Sequence, residues 1–351
     1  GVFLMSLNDQ AASRIRNAVS LMVRGTRLAL AHFSYLRAYF RHSTYVRETI
    51  EGRRRLVGAR RVAVFVHFDR GGTVHDYVDH HLRLLENVGY AIVFVSNAPV
   101  LSAATLESLK PRCALILRRE NVGYDFGAYK EGIAAIPDLS VVDDLLLAND
   151  SVYGPFHHPA HILEKMPPEN ADLWGATDSW EFSFHLQSYY LRFHRTAVQS
   201  AAFSEFWSSV RYVQSKTWVV RRYEIGLTQA LTRAGLRCRA AYPYRQAAAA
   251  LVETMLANGK AIEGLDPVRK EFLLQLFRYV DTGVPLNGTH FFWDYMIARM
   301  GFPFIKRDLL QKNPAHIPLV SYWEKVVSDS SDYKTDLILH HLEISLKNRS
   351  V

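Results

Sequence analysis

Four apolar runs separated by helix-like stretches constrain this chain more than any other feature. The run Asp143 to Asp150 ends on Asn149-Asp150 and then meets the chain breaker Gly154-Pro155. Arg61 to Asp69, Tyr90 to Asn97 and Cys113 to Arg118 have the same form, an unbroken apolar stretch that stops on polar residues. Runs of this length and continuity are those of strands buried on both faces, which is the condition of a parallel sheet. Between them, Asp76 to Asn87, Ala104 to Leu109 and Gly127 to Ile136 carry apolar residues at helical spacing, the first of them stopped by Gly89. Strand, helix and strand alternate with short connections, so the expected fold is α/β with a mainly parallel, Rossmann-type sheet flanked by helices. Right-handed crossovers then bring His67-Phe68-Asp69, Ser96-Asn97, Arg118 and Asn149-Asp150 to one rim. Ligands of open α/β sheets sit at that rim.

The motifs that would assign a common ligand are missing. Arg70-Gly71-Gly72 is too short for a dinucleotide fingerprint, and neither GxxxxGK[ST] nor GxSxG occurs. His157-His158-Pro159-Ala160-His161 lacks the fixed helical spacing of a zinc motif and reads as a loop. Cys113 and Cys238 form no metal-type pattern. No run of about 18 apolar residues is present, and Gly1 to Met5 lacks the build of a secretory signal, so a cytoplasmic chain is expected.

The net charge of +8 is concentrated at one end. Through Arg61 there are twelve arginines against Asp9, Glu48 and Glu51, an excess of nine, which leaves the rest of the chain near neutrality. A neutral body argues against nucleic acid as the partner. Leu7 to Arg55 reads as helical, with Ile15, Val19, Met22, Leu28, Leu30, Phe33, Leu36 and Phe40 among the arginines. Such an arm suits an anionic membrane surface or a helical hairpin packed on its own body. Beyond the sheet, helices are expected over Phe203 to Val213, Tyr223 to Gly235, Ala247 to Val280, Phe291 to Met300 and in the tail from Tyr322.

Several segments together resemble the rhamnan synthesis protein F family. They are Val66-His67-Phe68-Asp69, Phe94-Val95-Ser96-Asn97, Arg119 to Lys130 with the pattern NxGYDFGAYK, Asn149 to Pro155, Trp174 to Ser179, His185 to Tyr189 and Phe304 to Leu310. The resemblance spans roughly residues 60 to 320 and implies a GT-A-like glycosyltransferase. The same motif order implies an NxG segment at Asn121-Val122-Gly123, a reduced DxD-type metal motif at Asn149-Asp150-Ser151 and a catalytic acid at Glu224.

On that reading Asp150 with Asn149 would hold a divalent metal, Mg²⁺ or Mn²⁺, and Glu224 would be the general base, with Asp178 second. Nucleotide-sugar contacts are expected from His67, Asp69, Ser96, Asn97, Arg118, Asn121, Gly123, Asp125, Lys306 and Arg307. Each has an ordinary structural role as the alternative: Asx turn, helix cap, solvated cation. The expected organisation is a basic arm over 1–60, a nucleotide-sugar and catalytic domain over 61–245, and a mostly helical region over 246–351 completing the acceptor side. The implied activity is an inverting rhamnosyltransferase, peripheral at the inner face of the cytoplasmic membrane. It would use a dTDP- or GDP-rhamnose donor and a lipid-linked acceptor for O-antigen, lipopolysaccharide or cell-wall polysaccharide. The alternative is a non-catalytic glycan-binding or assembly module.

Overall fold

The computed structural model describes residues 2–39, 44–257 and 262–347. Twelve strands are formed by these residues: β1 Val46–Glu51, β2 Arg61–His67, β3 Ala91–Ser96, β4 Leu115–Arg119, β5 Asp144–Asn149, β6 Val152–Tyr153, β7 Leu173–Gly175, β8 Asp178–Ser179, β9 His185–Leu186, β10 Tyr190–His194, β11 Cys238–Ala240 and β12 Ile305–Lys306. Eight of them make one sheet in the order β1-β4-β3-β2-β5-β10-β7-β11. β4, β3, β2 and β5 run parallel, as the alternation predicts, joined by the helices α2 Asp76–Asn87, α3 Ala103–Leu109 and α4 Tyr124–Ala134. β10 is antiparallel to both β5 and β7, and β11 returns parallel to β7. Two small ribbons, β12 with β6 and β8 with β9, lie outside the main sheet.

Period-2 alternation divides the core into two layers. Val62, Val64 and Val66 of β2 pack with Phe126, Tyr129, Ile133, Trp207 and Leu231 on one face. Ala63 and Phe65 face the other way, onto Tyr77, Val78 and Leu82 and onto the C-terminal residues Trp293, Met296, Trp323, Val327 and Ile338. The region after residue 246 therefore shares a core with the sheet. Its tail forms two helices, Trp323–Ser330 and Asp336–Lys347, rather than one. Residues 258–261, inside the expected Ala247–Val280 helix, and residues 348–351, at the end of the expected tail helix, lie outside the described residues.

The arm differs from expectation in two ways. Helix α1, Val2–Tyr39, stops short, and Val46–Glu51 becomes the edge strand β1, antiparallel to β4. The β-branched Val46, Thr49 and Ile50 favour an extended chain, and β4 supplies the free edge. In α1 the side chains of residues 10–30 are all exposed, including Ile15, Met22 and Leu28, so this stretch is not a hairpin packed on the body. The side chains of Phe33, Leu36 and Phe40 lie outside the described residues. Among the described residues no helix is long and apolar enough to cross a membrane.

Candidate functional site

At the C-terminal rim of the parallel strands lies a cleft of about 440 Å³. Asp125, Asn149, Ser188, Glu224, Lys306 and Arg307 line it, joined by Tyr124, Lys216, His290 and Asp308. α4 carries Asp125 in its first turn and starts from Gly123, at φ 85°. A Cβ on Gly123 would lie 3.1 Å from Tyr212 Cα, so both the turn and the close approach call for glycine. Tyr124 follows at φ 54°, a left-handed conformation unusual for a tyrosine and the kind of strain found at ligand sites.

One oxygen of Asp125 accepts a 3.0 Å hydrogen bond from Asn149 Nδ2; the other has no hydrogen-bond partner among the described residues. Burial first, and then the Asp150 charge, push the Asp125 carboxyl up to about 6. Glu224 closes a π-helical turn, Val220–Glu224, ahead of the helix Ile225–Arg233. Its Oε2 accepts from Ser188 Oγ at 2.6 Å and Ser188 N at 3.2 Å, and its Oε1 faces His185 Nε2 at 3.3 Å. Burial would raise the Glu224 carboxyl, but the His185 and Ser188 hydrogen bonds outweigh it and hold it below the usual value. His185 is raised in turn: burial opposes its charge, and Glu224 and the Ser183 carbonyl overcome that.

The cations arrive from far along the chain. β12 pairs antiparallel with β6, which sets Lys306 beside the cleft and Arg307 over the end of β5. Lys306 Nζ sits 3.8 Å from the centre of the Tyr189 ring, a cation–π contact. Burial pushes the Lys306 ammonium down to about 8, with Glu224 and Asp125 pulling the other way. Arg307 donates to Tyr77 Oη at 2.9 Å and to the Asp150 carbonyl at 3.1 Å, and it lies 3.7 Å from Asp150 Oδ2.

Five expected site residues therefore meet in the cleft: Asp125, Asn149, Glu224, Lys306 and Arg307. The others stand apart from its lining. His67 is buried, with its ring nitrogens 2.9 Å from Ser96 Oγ and from the Thr73 carbonyl. Asp69 caps its own turn, accepting from Gly71 N, Thr73 N and His75, and its carboxyl falls to about 2 because His75 and the Thr73 N–H outweigh burial. Asn97 accepts from the wholly buried Arg119. Arg118 points to Glu48 and the Pro99 carbonyl. Asn121 and Gly123 are tied by their backbones to Gln214. Asp178 accepts from Tyr244 N at 2.8 Å and so caps the helix Tyr244–Ala257.

Sequence reasoning did not single out Ser188, Lys216, His290 and Asp308. Ser188 lies in the His185 to Tyr189 segment, the one local signal for it. Asp308 lies in the Phe304 to Leu310 segment beside Lys306 and Arg307, whereas Lys216 and His290 stand on elements that only the tertiary fold brings to the cleft.

A divalent cation has a restricted place here. Asn149 Oδ1 already accepts from Ser151 N and Ser151 Oγ, and Asp150 Oδ2 accepts from Phe68 N. Among the described residues no three His, Cys, Asp or Glu side chains gather as a metal cluster. The arrangement fits a hard cation held by one or two carboxylates, Asp125 and Asp150 being at hand, with its other oxygens from water and phosphate. That is the usual coordination of Mg²⁺.

The profile of the rhamnan synthesis protein F family matches residues 92–256, a narrower span than the motifs suggest. The virulence protein VirA of Vibrio anguillarum is 28% identical over 299 residues, covering 80% of this chain and 88% of VirA. The uncharacterized protein y4gN of Sinorhizobium fredii is 33% identical over 153 residues, 42% of this chain and 40% of that protein. Among solved structures, the mannosyltransferase PcManGT of Pyrobaculum calidifontis, in complex with GDP-Man and Mn²⁺, is similar over 75% of this chain and 81% of its own, at a TM-score of 0.30 and 9% identity.

Proposed function

We propose that this chain is a glycosyltransferase that moves a sugar from a nucleoside-diphosphate donor to an acceptor hydroxyl, with inversion at the sugar carbon. The observation that carries the reading is the cleft itself. Two carboxylates, Asp125 and Glu224, and a half-buried cation, Lys306, converge at the carboxyl rim of a parallel sheet that has no glycine fingerprint for diphosphate. The family match over residues 92–256 supports rhamnose as the sugar. A dTDP- or GDP-linked donor and a lipid-linked polysaccharide acceptor follow from the same reading.

The acceptor oxygen attacks the anomeric carbon as the bond from that carbon to the diphosphate oxygen breaks. The diphosphate leaves with the electron pair, and the acceptor proton passes to Glu224. Lys306 opposes the charge that grows on the leaving group, and its partial burial makes that interaction stronger than it would be in water. Arg307 holds the end of β5 in register for the same site. Asp125 orients the sugar or ribose through its unpaired oxygen and, where a divalent cation is used, shares in holding it. Such a cation supplies further neutralisation of the diphosphate.

One observation favours a non-catalytic glycan-binding module instead: the Glu224 carboxyl is held low by three donors, which weakens it as a base. Calorimetric titration with dTDP, GDP and UDP, with and without Mn²⁺, addresses both readings. One nucleotide should bind, and Lys306→Ala should weaken it about tenfold or more. Glu224→Gln should keep donor affinity and lower kcat by roughly 10²–10⁴-fold, the usual worth of a general base. Binding by none of the three nucleotides sinks the proposal; binding with no transfer by wild type favours the module.

A further inference from the structure

Glu224 lines the cleft as a weak base, and the side chain behind it supplies what it lacks. Each oxygen of a carboxylate has two lone pairs to offer. Glu224 Oε2 uses both of its own on Ser188 Oγ and Ser188 N, at 2.6 and 3.2 Å. Among the described residues Oε1 meets His185 Nε2 alone, at 3.3 Å. The oxygen with room for an incoming proton is therefore the one joined to the histidine.

His185 is buried at the root of the β8–β9 ribbon, and Leu186 N, next to it, donates to Thr228 Oγ1 at 3.0 Å, which ties the ribbon to the helix Ile225–Arg233. Its Nδ1 lies 2.8 Å from the Ser183 carbonyl oxygen. A carbonyl and an ionised carboxylate only accept, so both ring nitrogens bond at once only when both carry protons. A neutral ring spends its single N–H on one partner and turns a lone pair toward the other.

No other histidine among the described residues has both nitrogens against pure acceptors. His67 is as deeply buried and also meets a partner at each nitrogen, but the Ser96 hydroxyl can donate to it, which satisfies a neutral ring. Burial accordingly lowers His67, whereas His185 is raised. The other histidine–carboxylate pair, His75 with Asp69, stands apart from the cleft lining, and its carboxylate is filled by Gly71 N and Thr73 N.

We propose that His185 receives the acceptor proton through Glu224, so that the pair, rather than the carboxylate alone, is the base. His185 is then a positioning residue, and its role rests on the transferase reading. Before reaction the ring is neutral, with Nδ1–H on the Ser183 carbonyl and Nε2 unprotonated toward Oε1. The acceptor oxygen bonds to the anomeric carbon and the diphosphate leaves with its electron pair. The acceptor proton moves to Glu224 Oε1 and on to His185 Nε2. What results is an imidazolium–carboxylate pair in which every donor has an acceptor, and the ring later gives its proton to water. A carboxylate held low by three donors is a poor base by itself; coupled to this histidine, it takes up a proton at the pair's own, higher affinity.

The charged groups around the pair are Glu181 and Asp178 on the His185 side and Lys306 and Asp125 on the Glu224 side. Only the neutral ring can take the proton, so turnover rises as pH rises through the His185 midpoint.

Two measurements on the full chain test this. Imidazole NMR follows His185, identified by the signal absent from His185→Gln, in wild type and in Glu224→Gln. Its midpoint should lie above 6.5 in wild type and fall by about one unit or more in Glu224→Gln. A midpoint at or below 6.5, or one that Glu224→Gln leaves unmoved, overturns the proposal whatever the turnover. The second measurement is kcat against pH for release of dTDP or GDP from the corresponding rhamnose donor, with water as acceptor. The wild-type limb should follow the NMR midpoint. His185→Gln still donates to Oε1; its limb should move to near the ordinary 4.5 of a glutamate. Its plateau should fall about tenfold or more, with donor KM unchanged. A limb shared by wild type and His185→Gln overturns the role of His185 and leaves the transferase reading standing. No turnover of either donor by wild type overturns the rhamnosyltransferase reading, and this role with it.

Discussion

Glu224 and His185 are locked to each other more tightly than a catalytic carboxylate needs to be, and the pair has a definite pH signature. Glu224 lies below its ordinary 4.5, so its contribution to stability is present above pH 4.5 and is lost as pH falls through the depressed value. His185 lies above its ordinary 6.5, so its contribution is present below pH 6.5 and is lost as pH rises through the raised value. Both hold between pH 4.5 and 6.5. Thermal melts of wild type and His185→Gln should therefore differ most in that window and converge above it; a constant difference across pH would rule the ion pair out as the cause. At this scale the sequence was half legible. Asp125, Glu224 and Lys306 stand beside recognisable motifs and reach the cleft. His67, Ser96 and Asn97 stand beside equally good ones and instead brace the strand ends, because a polar residue closing a buried strand serves a loop as readily as a ligand. Only the partners reveal which: Ser96 Oγ meets His67, while one Asp125 oxygen has no hydrogen-bond partner among the described residues.

Among the elements, β4 shows how a single residue step changes the worth of an arginine. Arg119 is wholly buried and holds Glu131, Asn97 Oδ1 and the Val122 carbonyl, while Glu131 also accepts from Tyr45 N and Thr44 Oγ1. Arg118, its neighbour on the other face, meets a half-exposed Glu48. Arg119→Met should destabilise the fold by about 3–5 kcal/mol, since it strands a buried carboxylate. Arg118→Met should cost about 1 kcal/mol or less. Denaturant melts compare them directly, and equal losses would contradict this division. The same element marks a limit of sequence reading. The β2-to-β5 alternation was legible because long apolar runs and clear breakers define it. The β1 partner of β4 was not, because Val46 to Glu51, with Arg47, Glu48 and Glu51 in it, reads as the end of a basic helix. The reversed direction of β10 was equally hidden, since strand direction leaves no mark in local periodicity.

For the whole molecule, the body and the arm are separable in energetic terms. Residues 10–30 of α1 bury none of their side chains, whereas both faces of the sheet are covered by residues from 62 onward. Removing residues 2–39 should leave the melting temperature within about 2 °C, because surface groups contribute little to folding. If the arm docks the chain on an anionic membrane, its removal should also abolish co-sedimentation with anionic vesicles. A large fall in melting temperature would show that α1 belongs to the core after all.

The pairing of β12 with β6 carries one more consequence, concerning the order in which the chain is made. Arg307 reaches Tyr77 across 230 residues, and Lys306 joins Asp125 and Glu224 from the same late strand. Ribosomal synthesis releases the N-terminal part first, so every strand of the main sheet has been produced before either cation exists. A nascent chain made only as far as residue 300 lacks Lys306 and Arg307, the cations that offset the two carboxylates, and also the Trp323, Val327 and Ile338 side chains that cover one face of the sheet. On the proposed function, competence to bind a diphosphate waits until synthesis has passed Arg307.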